Sequence, residues 1–278
     1  DTLAAQGSLD VTSGAALTAR SLASAAAMTL SSGSTLDVQQ LRSGADLSAD
    51  AVDTLSIADA TVAGDATIEG QSDVVLGTAS VGKSLVVNAG NDLSADSLVV
   101  SGNSTLTSGG NTTLTSFNGQ GDLVANAAGN LQLDAGTVGG NASVSSDGAM
   151  TLGTLAVIGD ATATAGTTLA VDTLDVDGDA SLSSGDDLRV TTLDVAGNAD
   201  LSSGAALAVG QGTVGGNATL ASTGSTRLTA SRSRISAASP VIAPETSTAS
   251  GMEEKTAERA RSGRLRGSRL PANSAETL

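Results

Sequence analysis

Cysteine, histidine, tryptophan and tyrosine are all missing from the 278 residues, and phenylalanine occurs once, as Phe117. Without His, Cys or Tyr, the common general bases and most partners of an activated nucleophile are gone, so the chain reads as non-enzymatic. Aromatic side chains bury the most apolar area per residue, and one large globular core would use them. With 40% apolar residues remaining, their scarcity points to many thin layers of Leu, Val and Ala. Proline is absent before Pro240, as an extended ladder of paired strands requires. No run of about 18 apolar residues occurs, which excludes a membrane-spanning helix. Asp1-Thr2-Leu3 opens neither a basic nor an apolar segment, so no signal peptide is read in this chain. Lack of cysteine fits a secreted bacterial protein, and a cytosolic one equally well.

Basic residues are scarce and unevenly placed. Residues 1–228 hold 24 acidic and 5 basic side chains (−19), and residues 229–278 hold 5 acidic and 8 basic (+3). A body at −19 repels nucleic acid and anionic lipid and favours solubility. The chain thus divides into an acidic body, 1–228, and a basic Ser/Arg/Pro-containing tail, 229–278. Ser231-Arg232-Ser233-Arg234, Pro240 and Pro244 read as a linker, with a short charged helix over Met252–Arg261 as an option. Two readings of the tail stay open: a disordered or loosely docked segment, or a basic arm that packs on the acidic body or caps it.

What the body does have is a period. Gly140, Gly159, Gly178, Gly197 and Gly216 each precede Asn or Asp and then Ala, and each follows the last by 19 residues. Self-similarity at one fixed period is the mark of a solenoid. One column reads Leu17, Leu36, Leu55, Val74, Leu93, Thr112, Leu131, Met150, Leu169, Leu188, Leu207; a partner column two residues on contains Val38, Ile57, Leu76, Leu133, Val171 and Val190. A second pair of columns runs through Leu98, Phe117, Leu155, Leu174 and Leu193, and through Val100, Val138, Val176 and Val195. A third contains Ala66 with Ile68, Leu85 with Val87, and Ala180 with Leu182. Pairs at i, i+2 are strand alternation. A helix cannot hold these columns on one face, because 19 residues make about 5.3 turns. The spacing therefore predicts an all-β fold, a β-solenoid of three short strands per 19-residue coil. About twelve coils, stacked at roughly 4.8 Å, give a rod on the order of 55 Å long.

The corners carry Gly-Asn and Gly-Asp, read as tight turns with positive φ. A second glycine corner (Gly14, Gly33, Gly110, Gly129, Gly148, Gly166, Gly185, Gly204) drifts by a residue between repeats. Ala26, Ala45 and Lys83 replace glycine in the main corner column, so distortion is expected there, and the first three coils should be the least regular. A register that already runs at Asp1 suggests a piece of a longer protein.

The best site candidate is an acidic cluster, Asp172, Asp175, Asp177, Asp179, Asp186, Asp187 and Asp194. Asp175 with Asp194, and Asp160 with Asp179, should stack on adjacent coils, where a divalent cation such as calcium could relieve their repulsion. The alternative is that these carboxylates only solvate the rod. The nonapeptide calcium repeat is absent, which counts against a calcium roll, and no other cofactor is implied. Outward hydroxyls (Thr67, Thr105, Ser143, Thr162, Ser181, Thr219) solvate a face, and the T-x-T pairs of ice-binding sheets occur only at Thr105/Thr107 and Thr162/Thr164. Asn103, Asn111, Asn141 and Asn217 begin glycosylation-type triplets, a pattern that turn asparagines before β-formers also generate.

The unit G-[ND]-A-x-L-x-S-G followed by L-x-V-x-x-L-x-V, over about residues 1–228, resembles the repeats of filamentous haemagglutinin-like adhesins, the exoproteins of Gram-negative two-partner secretion. The resemblance implies a right-handed parallel β-helix, export through an outer-membrane transporter partner, and a secreted or cell-surface location. It also implies contact with host glycans or receptors, or delivery of a toxic tip, although no family binding residue falls on a position here. The expectation is a structural rod segment of an adhesin. Alternatives are the stalk of an autotransporter passenger and a carbohydrate-binding or carbohydrate-processing solenoid.

Overall fold

The computed structural model describes residues 1–229; the sequence expectations for the tail lie outside the described residues. Every described element is a β-strand, and every pairing is parallel at a separation of 19 residues, as in Leu169 beside Leu188 and Leu188 beside Leu207. The strands form a 13-stranded and a 12-stranded sheet whose members alternate along the chain. The fold is therefore a parallel β-solenoid of about 12 coils.

Three strands per coil were expected, and two form. A long strand such as Leu169–Val176 alternates with a short one such as Ala180–Ser184. The long strand carries two of the three inward pairs: Leu169 and Val171, then Leu174 and Val176, are buried. Their spacing (i, i+2, i+5, i+7) breaks strict alternation once. Asp172 and Thr173 are consecutive non-buried residues, and Asp172 drops out of the pairing register. The strand bends there without a turn, so hydrogen bonding continues around one corner of a three-sided interior. The third pair, Ala180 and Leu182, sits on the short strand.

The core is one continuous stack of Leu, Val, Ile and Ala running the length of the described rod. Removing each large aliphatic side chain from water is worth about 1.5–3 kcal/mol, and each coil supplies only a few, so a coil is stable only on its neighbours. Coils two and three are as regular as later ones: Leu17–Ser24 and Leu36–Ser43 are full eight-residue strands in register. The expected early irregularity is confined to the first coil, where Thr2–Ala5 is a four-residue, largely exposed strand; in coils two and three the inward columns are filled by Leu17, Leu22, Leu36, Val38 and Leu41.

The corner glycines correct a further expectation. Among the described residues no glycine takes a positive φ of the left-handed kind. What glycine provides is closeness between successive turns. A Cβ on Gly178 would stand 2.6 Å from the carbonyl oxygen of Gly159 and would strike the Asp160 carboxylate. Where Ala45 and Lys83 replace glycine, their N–H groups still donate to the preceding coil at 3.2 and 3.1 Å, beside 2.8–3.1 Å at the later glycine corners, so the expected distortion does not appear there. At Ala26 the N–H donates instead to Ser24 Oγ at 3.2 Å, and the Ser24 hydroxyl donates to the Gly7 carbonyl of the preceding coil at 2.7 Å.

Candidate functional site

The corner after most long strands places an Asn or Asp at the same height, with Ala27 and Ser84 the exceptions, and these side chains do one job. The Oδ1 of Asp122 accepts the backbone N–H of Asn141 at 2.7 Å, Asn141 accepts that of Asp160 at 2.9 Å, and Asp160 that of Asp179 at 2.9 Å. Asp179 accepts from Asn198 at 2.6 Å, and Asn198 from Asn217 at 2.9 Å. The opposite corner repeats the device: Asp92 accepts from Asn111 at 2.7 Å, Asn111 from Asn130 at 2.9 Å, and Asn130 from Ala149 at 2.8 Å. A turn leaves backbone N–H groups without strand partners, and such donors need an acceptor. These side chains supply it one coil away. Sequence reasoning took the same residues as turn formers or bare charges; the 19-residue recurrence of Asn/Asp was the signal that could have shown the ladder.

Serine closes the same turns from inside. Buried Ser32 donates to the carbonyls of Ala15 at 2.9 Å and Thr35 at 2.8 Å, and Ser43 to those of Ala26 and Asp46. Among the described residues one buried hydroxyl, that of Ser104, has no partner.

The acidic cluster is spread around the coil. Asp172 lies at the bend, Asp175 on the outer face of the long strand, Asp177 and Asp179 at one corner, and Asp186 and Asp187 at the other. Asp175 and Asp194 do stack in register, and Thr213 on the next coil donates to Asp194 at 2.9 Å. Asp160 and Asp179 also stack, joined through the backbone bond described above. Among the described residues no three acidic side chains converge as a metal-ligating group. The one ion pair there is Lys83 with Asp65 at 3.8 Å, between half-exposed side chains, so it adds little stability.

The hydroxyl columns lie on the short-strand sheet. Ser143/Ser145, Thr162/Thr164 and Ser181/Ser183 occupy successive coils there, and Ser202 donates to Ser183 at 3.1 Å. Asn103 and Asn141 are exposed corner residues whose Oδ1 atoms are already engaged in the ladder.

Two concavities complete the surface. A small apolar cavity of about 30 Å³ is lined by Leu193, Val209, Gly212, Leu220 and Leu228. Gly212, which lines it, stands in the column of Leu174 and Leu193. An open polar groove of about 400 Å³ crosses three coils, lined by Asp92, Ser94, Asn111, Thr113, Asn130 and Gln132, with Leu93 and Thr112 beneath.

Residues 63–118 match a family described as repeats of unknown function (DUF5649). The matched stretch covers the Asp65 and Asp92 corners and the start of the groove. No curated protein matches the chain, and no solved structure does. Established here is a repeat β-solenoid of the kind suited to a structural rod.

Proposed function

We propose that this chain is a non-catalytic rod segment of a large secreted or surface-displayed bacterial adhesin, exported through an outer-membrane transporter partner. The uninterrupted 19-residue register supports this reading most strongly. It builds length and stiffness and leaves side chains on the outside free to vary. Each coil buries its apolar columns on the next and ties both corners to it through Asn, Asp and Ser. Stability then adds along the axis, and the number of coils sets reach. The outer faces present hydroxyls, amides and carboxylates to host glycans or receptors. Resemblance of the G-[ND]-A repeat to filamentous haemagglutinin-like exoproteins supplies the export route.

The test is made in the source bacterium with an antibody raised against residues 1–229. Intact cells should bind the antibody, and deleting the outer-membrane partner gene should abolish that labelling while the protein accumulates inside. Labelling that survives the deletion, or a protein confined to the cytoplasm of the undisturbed strain, refutes the export reading.

A further inference from the structure

The groove over Asp92–Gln132 adjoins two coils whose inward columns carry a polar residue. In the inward column Leu93, Thr112, Leu131, only Thr112 is polar; it is buried and shares a 2.8 Å hydrogen bond with buried Ser108. The column Leu85, Ser104, Leu123 is broken in the same part of the rod by Ser104, whose buried hydroxyl has no partner. Thr112 gives up apolar burial that Leu93 and Leu131 keep, and the same serine–threonine pair recurs at Ser222 and Thr226, 2.8 Å apart. Ser104 stands in a column that is alanine at Ala66, Ala142 and Ala161.

The groove walls are two rows of polar side chains that advance one coil at a time. In one row (Asp92, Asn111, Asn130), Oδ1 of each side chain is held by the backbone ladder, which fixes its direction. The remaining atoms, Oδ2 of Asp92 and Nδ2 of Asn130, engage no other described residue. The other row is Ser94, Thr113 and Gln132. The hydroxyls of Ser94 and Thr113 and Oε1 of Gln132 engage no other described residue, while Nε2 of Gln132 donates to Asp134 at 2.7 Å. One coil before Ser94 in the same row stands Val75, an apolar side chain left 42% exposed. The result is a pre-aimed set of acceptors and donors with one carboxylate in a trough open at the surface, and Val75 lies one coil beyond its lining.

We infer that this groove binds a neutral oligosaccharide chain lying along the rod axis. A sugar hydroxyl can donate to the free Oδ2 of Asp92, and amides and hydroxyls can serve the remaining ring oxygens and hydroxyls as donor or acceptor. The C–H face of a ring would rest on Val75 in place of the aromatic platform this chain lacks. Anionic glycans are disfavoured by the −19 charge of the body. The inference rests on the adhesive reading above and gives it a location and a ligand class.

The full chain, isotope-labelled, is titrated with cellohexaose, maltohexaose and chitohexaose while amide chemical shifts are followed. At least one saccharide should shift amides confined to residues 74–76, 92–94, 111–113 and 130–132. The double substitution Thr113→Ala/Gln132→Ala removes side chains that belong to neither ladder nor core, so its melting temperature should stay that of the parent. It should weaken binding about tenfold, the loss of two modest hydrogen bonds. Ser181→Ala/Ser183→Ala, on the far sheet, should leave binding unchanged. No shifts with any of the three, shifts mapping to other coils, or equal affinity for the Thr113/Gln132 variant overturns the inference. None of these outcomes alters the antibody result that tests export, so the two proposals fail separately.

Discussion

Phe117 is the only aromatic side chain in the chain, and it is 98% buried in a stack otherwise sized for Leu and Val. One glycine gives it room. Gly119 stands between Val100 and Val138 in its column, and a Cβ there would lie 2.7 Å from both Cε1 and Cζ of the ring. Gly136, the ladder neighbour of Phe117 on the next coil, stands where Leu98, Leu155 and Leu174 stand in theirs, but Leu155 and Leu133 take up the space beside it. The ring thus fills volume vacated by a missing valine. Gly119→Val alone should overpack the coil and cost about 1–3 kcal/mol. Phe117→Leu alone leaves part of the ring volume empty, costing about 1–2 kcal/mol as a fraction of a full Phe→Ala loss. The double variant recreates the Leu/Val pair found at Leu174 and Val176 and should fall within about 1 kcal/mol of the parent, a coupling of roughly 2 kcal/mol. In a domain of this size, about 1 kcal/mol moves the melting temperature by roughly 2–4 °C. The assay is thermal melting by circular dichroism, with hydrogen exchange over residues 112–138 to localise the change. A double variant whose loss equals the sum of the singles would refute the compensation argument, as would a harmless Gly119→Val.

Gly212→Ala should stabilise the last coils by about 1 kcal/mol. Its new methyl would meet nothing nearer than 3.5 Å, would partly fill the adjoining cavity and would restrict the unfolded chain; unchanged melting would count against that cavity. Ser104→Ala should also stabilise, by about 1 kcal/mol, because it removes a buried hydroxyl without a partner. Thr112→Ala should destabilise by a similar amount through loss of the Ser108 bond, and equal effects from both changes would contradict the assignment. Asp179→Ala should lower stability by about 0.5–1.5 kcal/mol through loss of the bond from the N–H of Asn198, whereas Asp179→Asn should be close to neutral; equal losses would mean that charge matters there more than the ladder. Calcium added to chelator-treated protein should leave the melting temperature unchanged, and a rise of several degrees would reveal a site that the dispersed Asp172–Asp194 carboxylates do not suggest.

The inward columns were legible in the sequence because a fixed period puts every core side chain in one of a few places. Leu169, Leu188 and Leu207 could be stacked on paper before any coordinates existed. The merger of two inward pairs into one long strand was not legible, since burial pattern alone cannot say whether hydrogen bonding survives a bend at Asp172. Glycine at the corners was visible, but its reason was not: close approach of successive turns is a property of the stack, and a single turn read alone suggests positive φ. The same limit hid the role of Asp160 and Asp179, whose carboxylates face a backbone N–H that belongs to the next coil. Gly119 and Gly136 were readable as gaps in the Val and Leu columns flanking Phe117. The groove was not, because its two walls come from residues two positions apart whose side chains diverge only once the corner is built.

The central claim is that every 19 residues advance the chain by one strand spacing along a straight axis. Absence of cysteine allows spin labels to be placed on introduced pairs without background. Thr29, Thr105, Thr162 and Thr219 share one outward column through unbroken pairings. Labels at Thr29 paired in turn with Thr105, Thr162 and Thr219 should report narrow distances near ~19, ~34 and ~48 Å, for four, seven and ten coils at about 4.8 Å each. Distances that fail to grow linearly with coil number, or broad distributions at all three pairs, would contradict the account.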